Sequence, residues 1–283
     1  MPGLTNPGAE IYVPDGIGPD EALSRTTHLA VGAHPDDIPI MALDGVARCF
    51  GNSAQWFTGV TVADGAGSPR AGRYADLTDE QMREVRMLEE KEAAAVGEYG
   101  AAVLLDYRSS AVKDPSRLDV VSDLAALIEH ARPGVVYTHN LADKHDTHVA
   151  AALRTVAAIR SLPAGARPAA LYGCEVWRDL DWVVDEDKVV FDVTGHEGLA
   201  AALLGAYDSQ ISGGKRYDEA TAGRRLANAT FSETHAVGTA TALIYAMDLT
   251  PLVVSDTLQA EVHVAAQIER MHREVRDRIG RLQ

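Results

Sequence analysis

The sequence predicts an α/β protein with a mostly parallel sheet covered by helices on both faces. Three observations lead there. Short apolar runs alternate with longer helical patterns from about residue 27 to residue 160, the order that builds crossover connections between parallel strands. The first of these runs, THLAVGA, ends at a sharp turn, as a buried strand does. The composition is that of an ordinary globular protein, with 46% hydrophobic and 24% charged residues, and 283 residues suffice for a large core.

The elements follow in order. Residues 1–24 are rich in Pro, Gly and Asp and lack periodicity, so they read as an arm laid over the surface, with residues 25–283 as one extended domain. Thr27–Ala33 (THLAVGA) is a buried strand, Met41–Phe50 is helical, and Trp56–Ala63 (WFTGVTVA) is a second strand. It leaves into a Gly-rich loop, Asp64–Arg73. Thr78 begins a capping signature, TDEQ, ahead of an amphipathic helix of about twenty residues. Ala102–Asp106 is a strand, Val120–Ala131 a helix, Gly134–His139 (GVVYTH) a strand, and Thr147–Arg160 an Ala-rich helix. Farther on, Ala169–Trp177 and Lys188–Val193 read as strands. Glu197–Tyr207, Glu219–His235 and Ser255–Arg278 read as helices. No linker separates this region as an independent domain.

Charge and hydropathy narrow the partners. Acidic side chains outnumber basic ones 41 to 26, a net charge of −15, which disfavours nucleic acid, whose affinity rests on phosphate neutralisation. No apolar run is long enough to span a bilayer and no signal-peptide pattern opens the chain, so a cytoplasmic protein without a membrane partner is expected. Cys49 and Cys174 sit in apolar settings and read as two buried thiols.

In open α/β sheets, ligands gather at the carboxyl ends of the strands. Two segments rich in histidine and aspartate lie there: Ala33-His34-Pro35-Asp36-Asp37 after the first strand, and His139-Asn140-Leu141-Ala142-Asp143-Lys144-His145-Asp146-Thr147-His148 after GVVYTH. Alone, Asp36 or Asp37 could be a helix cap, and the second segment a solvated helix start. Together they supply what a catalytic zinc ion needs, three nitrogen or oxygen ligands and an open position. His34, Asp37 and His148 make that set. Asp36 is left over as a general base and His145 as a proton donor.

The pair AHPDD and HDTH resembles the LmbE/PIG-L-like family of zinc-dependent N-deacetylases. Similarity extends to the helix Glu84–Glu98 with its closing GEYG, to NLADKH, and to VFDVTGHEGLAAALLGAYDSQ, covering roughly residues 27–235. The resemblance implies a Rossmann-like α/β fold and one Zn2+ per chain, another divalent metal being an alternative. It implies hydrolysis of an N-acyl, typically N-acetyl, group on a small, polar, sugar-like molecule such as an N-acylated amino sugar or glycoconjugate. By motif position His34, Asp37 and His148 match the metal ligands. Asp36 matches the base that activates the metal-bound water, and His145 the histidine at the oxyanion and leaving amine. Relatives often assemble, so a homo-oligomer is compatible with the sequence.

Two departures stand out. Thr147 occupies the place where the family has an Asp beside the last ligand, leaving Asp143 or Asp146 to support the histidines, and Pro39 stands where an acid is common. For substrate contacts the Gly-rich loop offers Ser68, Arg70 and Arg73; Arg86, Trp177 and Tyr207 are weaker candidates, since such residues more often lie on a solvated face or pack in a core. Hydrolysis of another acyl bond, such as an ester, on the same metal site is one alternative. A catalytically silent binding protein that kept the fold is another. A nucleotide-binding oxidoreductase is disfavoured, because His-Pro-Asp-Asp stands where a G-x-G-x-x-G turn would be.

Overall fold

The apolar runs become strands of one eight-stranded sheet in the structure, a computed structural model that describes residues 2–283. In chain order these are β1 (Glu10–Tyr12), β2 (His28–Gly32), β3 (Phe57–Ala63), β4 (Ala101–Tyr107), β5 (Val135–His139), β6 (Ala170–Cys174), β7 (Lys188–Asp192) and β8 (Leu243–Asp248). They lie in the order β1-β4-β3-β2-β5-β6-β8-β7. Strands β4, β3, β2, β5 and β6 pair in parallel. Antiparallel pairings attach β1 at one edge, and β8 followed by β7 at the other.

Every residue of β2 and β3 is buried. Alternate side chains enter separate cores, as the two-residue period of a strand requires. Leu29 and Val31 of β2 join Val60 and Val62 of β3 in one core, whereas Ala30 and Phe57 join the other. The helices Leu118–Ala131 and Asp146–Ser161 close the first core through Leu124, Ile128 and Ile159. The second is closed by Leu43–Cys49, Asp79–Val96 and Glu197–Gly205 through Val46, Ala93 and Leu203. Each large aliphatic side chain buried this way contributes about 1.5–3 kcal/mol, so burial on both faces holds the sheet against its helices.

The helix after the Gly-rich loop starts where its capping signature places it. Thr78 Oγ1 accepts the Gln81 N–H at 3.2 Å, and Gln81 Oε1 accepts the Thr78 N–H at 2.9 Å. Several segments differ from the sequence reading, among them the last helix, expected over 255–278 and found at Ala260–Leu282. Residues 1–24 contain β1 and a helix, Pro19–Ser24, and the segment is tied down by the buried Asp123, whose carboxylate accepts the Thr5 N–H and the Tyr107 O–H, both at 2.7 Å. Leu243–Asp248, unassigned from the sequence, is β8 and makes this side of the sheet antiparallel. The helix expected over 219–235 runs from Tyr217 to Phe231. Among the described residues, no helix is long and apolar enough to cross a membrane.

The chain passes from β2 outward through β3 to β4, then returns to place β5 on the other flank of β2. Loops leaving the carboxyl ends of two such neighbours splay apart and leave a crevice at the switch point. Both histidine–aspartate segments leave from there.

Candidate metal centre and active site

Residues Ala33–Asp36 turn from β2 directly into a short helix, Asp37–Met41. The turn is so close that a Cβ on Gly32 would sit 3.0 Å from Ile38 Cγ1 and 3.3 Å from Asp37 Cβ. Asp36 adopts φ 102° and ψ −22°, a left-handed conformation that costs a non-glycine residue about 1–3 kcal/mol. This backbone sends the adjacent carboxylates to different partners: Asp37 meets histidines, and Asp36 meets Arg86.

The three residues expected as ligands converge. His34 Nδ1 lies 3.2 Å from His148 Nε2 and 3.3 Å from Asp37 Oδ2, and His148 Nε2 lies 3.4 Å from Asp37 Oδ1. A tetrahedral ion with nitrogen and oxygen ligands at about 2.0–2.1 Å sets its ligand atoms about 3.4 Å apart. The donor set therefore fits zinc in both chemistry and spacing. His34 Nδ1 and His148 Nε2 also face one another, an arrangement that a shared cation satisfies better than a single proton.

The supporting residues are as specific. Asp143 Oδ2 lies 3.4 Å from His148 Nδ1 and accepts the Trp177 N–H at 3.1 Å, while Oδ1 accepts the His145 N–H at 3.0 Å. This carboxylate orients the ring of one histidine and the backbone of the other, the role that outer carboxylates play around zinc. His139, the last residue of β5, is fully buried; its Nε2 sits 2.9 Å from the Ala33 N–H and 3.3 Å from Asp37 Oδ2. It stacks on His148 with ring centroids 4.0 Å apart. Two groups thus bring ligand atoms together, Asp37–His139–His148 and His34–His145–His148, both overlapping the expected set.

Asp36 is held by Arg86, whose Nη2 lies 2.9 Å from Asp36 Oδ2 and also donates to the Pro35 carbonyl. Its Nη1 donates to Glu89 Oε2 at 2.8 Å and to Ser209 Oγ at 3.3 Å. Arg86 is only 1% exposed, the opposite of the solvated helix arginine expected from sequence. Gly65 (φ 69°) makes room for it, since a Cβ there would meet Arg86 Cβ and Cγ at 3.0 Å. Tyr207, a candidate for sugar stacking, is buried and donates to Glu90 at 2.8 Å.

Burial shapes the charges. It pushes the Asp36 carboxyl up to about 8, assisted by neighbouring Asp37 and Glu90 and opposed by Arg86. Burial acts on Asp37 in the same direction, but His148, His139 and His34 outweigh it and hold Asp37 well below the usual carboxylate range. Burial lowers His139 to about 4, with His148 adding to the effect. His145 is lowered by burial and by its neighbours His148 and His34. His148 runs the other way: Asp37 and Asp143 overcome burial and raise it.

A cavity of about 870 Å³ opens over this cluster, within the ~300–1,000 Å³ of small-molecule sites. His34, Asp36, Asp37 and His145 lie on its wall, with Ser68 contributed by the Gly-rich loop. Arg70 and Arg73 do not line it: Arg70 pairs with Asp79 and the Ala66 carbonyl, and Arg73 with Asp208 and the Tyr74 hydroxyl. Asp146 is exposed on the first turn of its helix, whereas Thr147 is buried on the cavity wall. The ring of His145 stacks on Trp177 at 6.2 Å, and its Nδ1 is buried without a hydrogen-bond partner among the described residues.

Sequence reasoning gave no role to His139 and little weight to Arg86. The Arg86 signal was present: Met82, Arg86, Glu89, Glu90 and Ala93 share the buried stripe of the helix Asp79–Val96. Charges on an apolar stripe mark a buried polar network.

Similarity to known proteins agrees with this geometry. No curated protein matches the chain in sequence. Among solved structures, an N,N'-diacetylchitobiose deacetylase from Pyrococcus horikoshii aligns over 81% of this chain and 86% of its own, with a TM-score of 0.63 and 14% identity. The hydratase GalB from Pseudomonas putida, which acts on 4-carboxy-2-hydroxymuconate, aligns over 79% and 96%, with a TM-score of 0.59 and 16% identity. The A40926 pseudoaglycone deacetylase Dbv21 aligns over 78% and 96%, with a TM-score of 0.57 and 16% identity. At such identities these likenesses establish the fold, and one fold here serves two chemistries. A model of the PIG-L family, described as GlcNAc-PI de-N-acetylase, matches residues 29–159. Residues 29–159, which contain both halves of the histidine–aspartate cluster, belong to the PIG-L (LmbE-like) family.

Proposed function

We propose that the protein is a metal-dependent N-deacetylase acting on a small, sugar-like molecule. One observation carries the reading: His34, Asp37 and His148 bring ligand atoms within 3.2–3.4 Å of one another beside an uncoordinated carboxylate, Asp36, at the floor of a substrate-sized cavity. The description of the matching family supports the N-acetyl group as the one removed. These three residues would hold the ion, zinc by preference, and when bound it supplies Lewis-acid polarisation and an acidified water.

The chain's own residues provide the rest. Arg86 fixes Oδ2 of Asp36, leaving Oδ1 to take the proton of the attacking water, and the burial that raises this carboxyl strengthens it as a base once it is ionised. His145, lowered by burial and its histidine neighbours, works as a neutral hydrogen-bond donor to the developing oxyanion. With Thr147 where the family has Asp, no carboxylate among the described residues forms an ion pair with the His145 ring, and Asp37 and Asp143 act on it only at longer range. In this reading the proton taken by Asp36 is the one delivered to the departing nitrogen.

The test is acetate release from a panel of N-acetylated amino sugars by metal-loaded protein, alongside two variants. Asp36→Asn should keep its metal and lose roughly a hundred- to ten-thousandfold in turnover. Asp37→Ala should lose the metal itself. Loss of metal by Asp36→Asn and retention by Asp37→Ala would reverse the assignments; full activity in both would end the reading.

A further inference from the structure

The cavity has a charge pattern opposite to that of the chain as a whole. With 41 acidic against 26 basic side chains, an arbitrary patch of surface is expected to be negative. The cavity wall instead presents Lys113, Lys144, Lys215 and Arg224, and its only carboxylates are Asp36 and Asp37. Those two lie on the floor, 6% and 3% exposed, already engaged by Arg86 and the histidines. The rim is left to the cations.

These four residues come from separate parts of the chain. Lys113 ends the helix Ser109–Lys113, Lys144 lies in the loop after β5, Lys215 closes the turn Ile211–Lys215, and Arg224 projects from the helix Tyr217–Phe231. Among the described residues the three lysines form no salt bridge, whereas Arg224 donates to the Val176 carbonyl and acts on the buried carboxylate of Glu175. Elsewhere the protein pairs its cations readily, as in Arg25–Asp15, Arg83–Asp106 and Lys91–Glu10. Lysines gathered at one rim without counter-ions repel, and the fold gains nothing from their arrangement. Lys215 is also fixed in place: its Nζ lies 5.2 Å from the Trp177 ring, and that ring stacks on His145 at 6.2 Å. One aromatic side chain therefore links the free ammonium to the reacting end of the cavity.

We propose that the substrate carries an anionic group, a carboxylate or a phosphate, remote from the amide that is cleaved, and that Lys113, Lys144, Lys215 and Arg224 receive it. The position of the amide rests on the deacetylase reading; the anion site rests on the rim alone. It is a specificity device, since a charge held at the rim selects among sugars that present the same acetamide to the floor.

The experiment uses metal-loaded protein and three probes: N-acetylglucosamine 1-phosphate, N-acetylglucosaminuronic acid and the neutral methyl N-acetylglucosaminide. By calorimetry at low salt, at least one anion should bind about tenfold or more tightly than the neutral sugar, as charge-assisted contacts allow. That advantage should shrink at high salt and in the triple variant Lys113→Gln/Lys144→Gln/Lys215→Gln. The stronger of the two anions tells phosphate from carboxylate. Equal binding of all three probes, no binding of either anion, or an advantage that survives the triple variant would overturn the proposal. Acetate release separates it from the underlying reading. Turnover without preference for anions overturns the anion site and leaves the deacetylase standing. Anion-selective binding with no acetate from any probe does the reverse.

Discussion

Replacing Arg86 with methionine should destabilise the protein by about 3–5 kcal/mol. The guanidinium is 1% exposed and serves Asp36 at 2.9 Å and Glu89 at 2.8 Å, together with the Pro35 carbonyl and Ser209. Methionine keeps an unbranched stem against Gly65, so the change removes charge more than volume. Two carboxylates then remain in a buried setting without their cation, the situation in which breaking an ion pair is most costly. Glu89 keeps the N–H and hydroxyl of Ser209 at 2.6 and 2.8 Å, which limits the loss on that side. Against a total stability of about 5–15 kcal/mol, the expected loss is a large fraction. The measurement is urea unfolding of metal-stripped parent and variant, because a bound ion would add its own stabilisation and mask the difference. Arg86→Lys restores charge without the planar fork and should recover only part of the loss. A deficit below about 1 kcal/mol for Arg86→Met, or a lysine variant no better than methionine, would refute the reasoning.

Asp143→Ala should leave the three ligands in place but lower zinc affinity about 10–100-fold, because His148 loses the group at its Nδ1; competition with a chromophoric chelator reads this, and unchanged affinity removes Asp143 from the role. Cys49 is 5% exposed with its thiol pushed up to about 11 by burial, and Cys174 is fully buried, which holds its thiol well above the usual value. Both should resist a thiol reagent at pH 8 and react once urea unfolds the chain; rapid labelling of the native protein would contradict the placement of both.

Much of this architecture is legible in the amino-acid sequence, for physical reasons. Central strands such as β2 and β3 are buried on both faces and therefore read as unbroken apolar runs. The Thr78 capping box is a local code that tertiary packing does not override. His34, Asp37 and His148 stand out because their chemistry is unusual at strand ends. Edges read poorly. β1 has three half-buried residues and no pattern to detect, and β8 is an apolar run too short to tell strand from helix by period. His139 is hidden by its position as the last residue of a strand, where it looks like one more alternating side chain. Asp143 and Asp146 are equivalent in sequence, and only the turn that buries one and exposes the other distinguishes them.

His34 and His148 are 114 positions apart along the chain yet 3.2 Å apart in space. No local interaction draws them together; they meet because β5 docks in register beside β2, His28 against Val135. Long-range pairings of this kind form slowly, since the intervening loop must close before any contact rewards it. A nascent chain that has completed β2, β3 and β4 holds His34 and Asp37 with nothing opposite them. The cluster is thus held by sheet register rather than by local structure, and a slip of β5 against β2 would part its two halves however intact each strand remained.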